Sequence, residues 1–413
     1  MPLADPLSQV LLALAAVIVT GLILGKILRF LGQPPVIGEI VAGVLLGPSL
    51  LGPRLSGMLL PSSVAPTLGI IAQLGILLYM FTVGLELSGQ ALRQRTKTLV
   101  ATSLAGLLVP FSLGMGLAFL LYPRFAGGTV GFLGFSLFLG ISLSVTAFPV
   151  LARILAERQL LKTELGSLAL TCAAVGDGAA WCLLALVVGV VKTQVGVGLR
   201  VALLTLAYLT VMLFVVRPLA RRLIARWEAE LPAPTRSALV LVALILSALT
   251  TEQIGIHAIF GAFLLGAILP SSSGIAKRLI QQLQPVVTAL LLPAFFALTG
   301  MRTRIDLLSG AGVWLICGGI ILVATLGKVG GTFFAARGTG VGTRDAMILG
   351  ALMNTRGLME LIVLNIGLDL HVISPTLFAM MVVMALVTTM MTAPALHWLL
   401  PDLRKTTQWR QHD

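Results

Sequence analysis

Thirteen apolar stretches follow one another along this 413-residue chain, separated by short charged or Pro/Gly-rich breaks. They lie near residues 7–29, 35–51, 66–87, 98–121, 130–152, 164–191, 197–220, 236–251, 255–270, 284–301, 308–336, 345–367 and 374–399. A helix of about 20 apolar residues crosses the hydrocarbon of a bilayer. The pattern therefore predicts an all-α polytopic membrane protein with about 13 transmembrane helices. Composition agrees, since 58% of residues are hydrophobic and 10% charged, against about 25% charged in a soluble domain. Almost no room is left for an extramembrane domain.

The net charge of +13 does not point to nucleic acid, because the basic residues form no patch or tail. They fall in the short breaks. One side of the alternation holds 20 of the 28 lysines and arginines and the other holds 6, with Lys328 and Arg356 inside spans. The richer side is expected to be cytoplasmic. This places the N-terminus outside and the C-terminus, with a short tail at 400–413, inside, as in a bacterial inner membrane. The break carrying Arg217, Arg221, Arg222, Arg226 and Arg236 reads as a solvated loop facing lipid. The N-terminus has no basic n-region or small-residue cleavage site, so the first span is expected to be retained. Cys172, Cys182 and Cys317 lie inside apolar spans and form no C-x-x-C pair, which excludes a disulfide framework or thiolate metal site. No nucleophile–base or metal-ligand cluster appears, so neither an enzyme nor a cofactor is expected.

Asp177 is the only charged residue in a 27-residue stretch, 165–191, and stands near its centre. That depth is the membrane midplane, where a charge costs at least about 2.5–3.5 kcal/mol. A structural ion pair with a buried base would explain it; carriage of an ion or proton is the sharper reading. Gly176 and Gly178 flank it, and are expected to let another backbone or a small ion come close.

Two other spans carry breaks. In the fifth, Ser142-Leu143-Ser144-Val145-Thr146-Ala147-Phe148-Pro149, proline removes a helical N–H and clashes with the preceding turn. In the twelfth, Asn354-Thr355-Arg356-Gly357-Leu358-Met359-Glu360 is a polar run with a glycine. Broken backbone at membrane depth survives only where protein or water covers it. Two facing breaks would present two positive and two negative half-helix ends, which Glu360 and Arg356 could neutralise. Lys328, in the eleventh span, either snorkels to the cytoplasmic face or pairs near Asp177, and its flanking glycines favour close helix contact. Glu39 and Glu86 lie near span ends. His257 and His371 fall in loops on the outer side, where solvated histidines are expected rather than pH sensors.

Short strings recur at nearly constant offset. Gly43-Val44-Leu45-Leu46-Gly47 matches Ala262-Phe263-Leu264-Leu265-Gly266 at 219 residues, and 80–86 matches 296–302 at 216. A displacement of seven spans is odd, so the related halves run in opposite directions. Two inverted six-helix repeats of this kind put a transport site at the membrane midplane.

At these residues the chain resembles the monovalent cation:proton antiporters. The motifs are Pro35-Val36-Ile37-Gly38-Glu39, Ser144-Val145-Thr146-Ala147-Phe148-Pro149, Gly176-Asp177 and Asn354-Thr355-Arg356-Gly357-Leu358-Met359-Glu360. Within that group it is similar to the second cation/proton antiporter family, which includes bacterial sodium/proton exchangers, glutathione-gated potassium efflux systems and plant cation/proton exchangers. The resemblance implies a core transport domain at 98–191 and 308–399 with crossed broken helices. It also implies a dimer domain at 1–87 and 236–301, a linker helix at 197–226, and a homodimer. Gly21/Gly25 and Gly43/Gly47 are spaced for close packing between protomers. A nucleotide-binding regulatory domain is not expected, since the chain ends soon after the thirteenth span. Electrogenic members carry two adjacent acids at the carrier position; here Gly176 replaces the first.

The expected function is therefore antiport of Na+ or K+ against H+, with Asp177 binding either, and Thr146 and backbone near Ser144 as further ligands. One titrating carboxylate predicts an electroneutral cycle. The rivals are a cation channel and an electrogenic exchanger in which Lys328 carries a second proton.

Overall fold

The computed structural model describes residues 6–33, 35–47, 52–59, 61–86, 96–128, 130–158, 160, 163–192, 195–270 and 272–400. The expected tail beyond residue 400 lies outside them. Every one of the thirteen apolar stretches is occupied by helix. Nine helices among the described residues are long and apolar enough to cross a membrane, and Ile37–Leu46, Phe132–Ser144 and Ala258–Ile268 are shorter apolar helices. The chain is an integral membrane protein of nearly all-helical fold.

The basic segment after the seventh span is not a loop. The helix Val195–Val211 passes through a π turn, Met212–Val216, into the helix Arg217–Glu230. Hydropathy ends at the arginines, but arginine, leucine and alanine are good helix formers, and Arg226 pairs with Glu230 one turn on at 3.0 Å. Pro218 cannot donate to the carbonyl four residues before it, and the N–H of Arg217 reaches back to Met212 instead.

The chain forms two compact units. The first comprises Met1–Gly21, Ala42–Gly89 and Ala185–Met301. Close packing inside it depends on glycine. A Cβ at Gly43 would run into the Phe296 carbonyl, one at Gly84 into the Phe263 carbonyl, and one at Gly266 into the Phe81 carbonyl. The second span thus lies against the tenth, and the ninth against the third. Tyr208 and Ser247 share a 2.6 Å hydrogen bond in the same unit.

The second unit comprises Leu22–Val41, Gln90–Leu184 and Arg302–Asp413. Residues 22–41 were expected in the other domain. They join this unit because Gly25 meets Gly38 backbone to backbone, Gln33 Nε2 donates to the Met390 carbonyl at 3.1 Å, and Arg158 Nη2 donates to the Gly32 carbonyl at 3.5 Å. Residues 185–191 and the expected linker 197–226 cluster with the first unit. Gly25 and Gly43 are therefore used inside the chain, and their spacing gives no argument for a contact between protomers.

Candidate functional site

Both broken spans belong to the second unit. The helix Phe132–Ser144 ends in extended backbone, with Val145 at φ −62° and ψ 139°, and resumes as Phe148–Glu157. In an unbroken helix the Pro149 ring would strike the carbonyl four residues earlier, that of Val145. The break at 145–147 removes the clash and leaves Pro149 in the first turn of the new helix, where its missing N–H is harmless. The twelfth span divides likewise into Thr343–Met353 and Leu358–Asp369. Gly357 takes φ 152°, and a Cβ there would lie 2.8 Å from Val150 Cγ2, so only glycine fits.

The two breaks lie against each other. The Ala147 N–H donates to the Thr355 carbonyl at 2.9 Å, and Thr146 Oγ1 donates to the Met353 carbonyl at 3.4 Å. Four half-helix ends converge here, and each meets a side chain of suitable polarity. Arg356 donates to the Ser142 carbonyl at 2.9 Å and to the Leu143 carbonyl at 2.6 Å, at the C-terminal end of Phe132–Ser144. The same guanidinium holds Glu360 at 2.8 Å, both side chains fully buried, and Glu360 stands in the first turn of Leu358–Asp369. Asp177 Oδ2 accepts from the Phe148 N–H at 3.2 Å, at the N-terminal end of Phe148–Glu157. Lys328 Nζ donates to Thr146 Oγ1 at 2.6 Å and to the Gly106 carbonyl at 2.8 Å, behind the C-terminal end of Thr343–Met353.

Asp177 is carried by an unbroken helix, Glu164–Lys192, and is 1% exposed. Its second oxygen, Oδ1, has no hydrogen-bond partner among the described residues. No backbone approaches the flanking glycines: a Cβ at Gly176 or Gly178 would meet no heavy atom within 4 Å. The close approach of another backbone expected at these glycines is therefore not found among the described residues.

Lys328 does not snorkel. It is 2% exposed and lies in a π turn, Leu326–Gly330. Gly327 and Gly331 press this turn against the helix Thr96–Phe125, where added Cβ atoms would come within 2.9 Å of Pro110 and of the Ala105 carbonyl. Its hydrogen-bond partners are a hydroxyl and a carbonyl, though it interacts electrostatically with Asp177, Arg356 and Glu360.

The remaining predicted residues divide. Ser144 is buried with its hydroxyl on the Leu107 and Gly140 carbonyls, and Thr355 turns its hydroxyl back to the Leu352 carbonyl. Asn354 Oδ1, Ser142 Oγ and Glu360 Oε1 are buried oxygens without a partner among the described residues, as Asp177 Oδ1 is. Hydroxyl, amide, carboxylate and carbonyl oxygens are the ligands that hard cations take. Among the described residues no group of three or more His, Cys, Asp and Glu could hold a metal. Glu86 is exposed and accepts from Gln284, and His257 caps the helix Ala258–Ile268. His371 is exposed, with its Nδ1 3.1 Å from the Asp369 carbonyl.

Sequence reasoning missed Gly106, the Phe148 N–H and Thr389. Thr389 Oγ1 accepts from the Arg356 N–H at 3.0 Å and lies 2.9 Å from its carbonyl. The signal was present for Thr389, since Thr388-Thr389 interrupts an otherwise apolar thirteenth span. Gly106 and Phe148 act through backbone atoms, which leave no mark in side-chain chemistry.

Residues 14–401 match the family described as sodium/hydrogen exchanger, transmembrane. The Na+/H+ antiporter NhaS4 of Synechocystis sp. is 43% identical, over 94% of this chain and 97% of that protein. Cation/H+ antiporter 20 of Arabidopsis thaliana is 39% identical over 95% of this chain and 48% of its own length. K+/H+ antiporter 1 of Saccharomyces cerevisiae is 33% identical over 90% and 44%. The chain thus spans about half the length of the plant and yeast relatives. The solved structure of the sodium proton antiporter MjNhaP1 from Methanocaldococcus jannaschii at pH 8 superposes with a TM-score of 0.71, covering 97% of this chain and 98% of that one. At 14% identity this likeness concerns the fold.

Proposed function

The chain belongs to the transmembrane sodium/hydrogen exchanger family, and on that premise we propose that it exchanges Na+ or K+ for H+ by alternating access, the two ions competing for Asp177. One observation carries the reading. Asp177 is a buried carboxylate with one oxygen on a helix N-terminus and the other without a partner among the described residues. A proton or a monovalent cation can complete its charge balance, and accepting one excludes the other. Thr146 and Asn354, from the two facing breaks, supply further oxygens. Arg356 and Glu360 neutralise each other and hold the breaks in place.

The cycle is electroneutral in this reading, because Gly176 leaves one carboxylate to load and unload. Lys328 stays charged on Thr146 and Gly106. The relatives' names divide between Na+ and K+, so both are retained as substrates. The second unit is proposed as the mobile core and the first as the dimerising part of a homodimer, on the resemblance. The reciprocal packing of the second span on the tenth and the ninth on the third supports an inverted repeat. The excess of lysine and arginine supports a cytoplasmic C-terminus in a bacterial inner membrane.

Everted vesicles test the reading. With the membrane potential clamped, an outwardly directed cation gradient is expected to draw protons in and acidify the lumen against the pH gradient, which a channel cannot do. Cation flux without uphill proton movement would contradict antiport. Comparing Na+ and K+ for collapse of a preset pH gradient in proteoliposomes assigns the cation.

A further inference from the structure

The end of the seventh span carries a feature that transport through Asp177 does not use. From Val201, just past Arg200, to Val216 the helix carries no charged residue, and at about 1.5 Å per residue this run rises about 24 Å, most of a hydrocarbon thickness of about 30 Å. Arg217 and the residues after it therefore emerge at headgroup depth. Here Pro218 and the π turn Met212–Val216 widen the helix. A groove of about 540 Å³ opens beside it, lined by Leu213, Phe214, Arg217, Pro218, Arg221 and Arg222. Its two halves differ in chemistry. Leu213 and Phe214 form an apolar wall toward the membrane, with Phe214 76% exposed. Arg217, Arg221 and Arg222 bring three guanidinium groups to the other end. Among the described residues none of these three is ion-paired, whereas Arg226 on the same helix is held by Glu230.

We propose that this groove binds the headgroup of an anionic phospholipid, its phosphate on Arg217, Arg221 and Arg222 and its acyl chains along Leu213 and Phe214. Guanidinium groups match phosphate oxygens in geometry and charge, and basic clusters at the membrane interface recognise anionic lipid. A zwitterionic lipid brings its own cation and gains little from three arginines. Free phosphate has the charge but no chains for the apolar wall.

The test is thermal unfolding of the full chain in detergent, titrated with phosphatidylglycerol, phosphatidylcholine or inorganic phosphate. Phosphatidylglycerol is expected to raise the melting midpoint by several degrees, and the other two to leave it within error. The triple variant Arg217→Gln/Arg221→Gln/Arg222→Gln is expected to melt like the parent without lipid and to lose the phosphatidylglycerol increment. Arg226→Gln keeps it. An undiminished increment in the triple variant, or an equal one from inorganic phosphate, overturns the proposal. Should the triple variant not fold, Arg221→Gln and Arg222→Gln are read singly by native mass spectrometry. Each is expected to retain phosphatidylglycerol severalfold less than the parent, and unchanged retention in both overturns the proposal.

Discussion

The two broken spans present the same problem and solve it differently. Each exposes a negative and a positive half-helix end inside the protein. In the twelfth span the positive end faces Glu360, and Glu360 is locked to Arg356 at 2.8 Å. That guanidinium also holds the carbonyls of Ser142 and Leu143, so this half of the crossing is tied and charge-balanced. In the fifth span the positive end faces Asp177, whose contact is a neutral amide N–H at 3.2 Å. The nearest cationic group in the network, Lys328, is committed to Thr146 and Gly106. Lys328 interacts electrostatically with both acids, but among the described residues Glu360 alone of the two is held in an ion pair, and the acid without one is the one proposed to exchange its partner. The difference separates two buried acids that look alike in the sequence.

Removing the exchangeable carboxylate has the largest expected effect. Asp177→Asn keeps an oxygen for the Phe148 N–H but cannot titrate, so exchange in proteoliposomes is expected to fall to the level of empty vesicles while the protein stays folded. Cation-dependent proton movement by that variant would break the contrast. The locked acid is expected to show the reverse pattern. Arg356→Met leaves Glu360 buried without its cation, at a cost of about 3–5 kcal/mol, seen as a lower melting temperature in detergent. Adding Glu360→Leu is expected to recover part of this loss, but not all, because the Ser142 and Leu143 carbonyls remain without donors. Equal stability of Arg356→Met and the parent would remove the tie from the account.

Sequence pattern made the helices and both breaks legible, because apolar run length and the Thr146–Pro149 and Asn354–Gly357 interruptions are local. The depth of Asp177 followed from counting residues along one helix. What stayed hidden was direction. Nothing in the spacing told whether Lys328 would snorkel or turn inward; the π turn Leu326–Gly330 and the contact of Gly327 with Pro110 decide it. The reach of Arg356 to carbonyls 213 and 214 positions away in sequence is a property of the crossing, visible only in three dimensions. The segment Arg217–Glu230 was misread as a loop because hydropathy reports where a membrane ends, and helix continues past that point.

A smaller effect is expected at Thr146, which serves Lys328 and the Met353 carbonyl together. Thr146→Val is expected to raise the apparent cation constant by about fivefold, the loss of one oxygen ligand being worth about 1 kcal/mol, with maximal rate nearly unchanged. An unaltered constant would make the hydroxyl purely structural.

The smallest expected effect is none at all. Exchange of Na+ or Li+ under an imposed potassium–valinomycin potential is expected to proceed at the same rate for either sign, in the parent and in Lys328→Gln. Voltage dependence that disappears in Lys328→Gln would make Lys328 a second proton carrier. Gly176→Asp sharpens the point, since a Cβ there would meet no heavy atom of a neighbouring element among the described residues within 4 Å. The added acid is expected to introduce voltage dependence without unfolding the protein.

The central claim is that one buried carboxylate, in no ion pair among the described residues, binds either ion. Titration calorimetry of the purified protein with Na+ or K+, repeated in buffers of different ionisation enthalpy, counts protons released as the cation binds. The account predicts a single proton released per cation bound, cation affinity that rises with pH as the competing proton is removed, and no proton release from Asp177→Asn. Cation binding without proton release, or with undiminished release from Asp177→Asn, would contradict it.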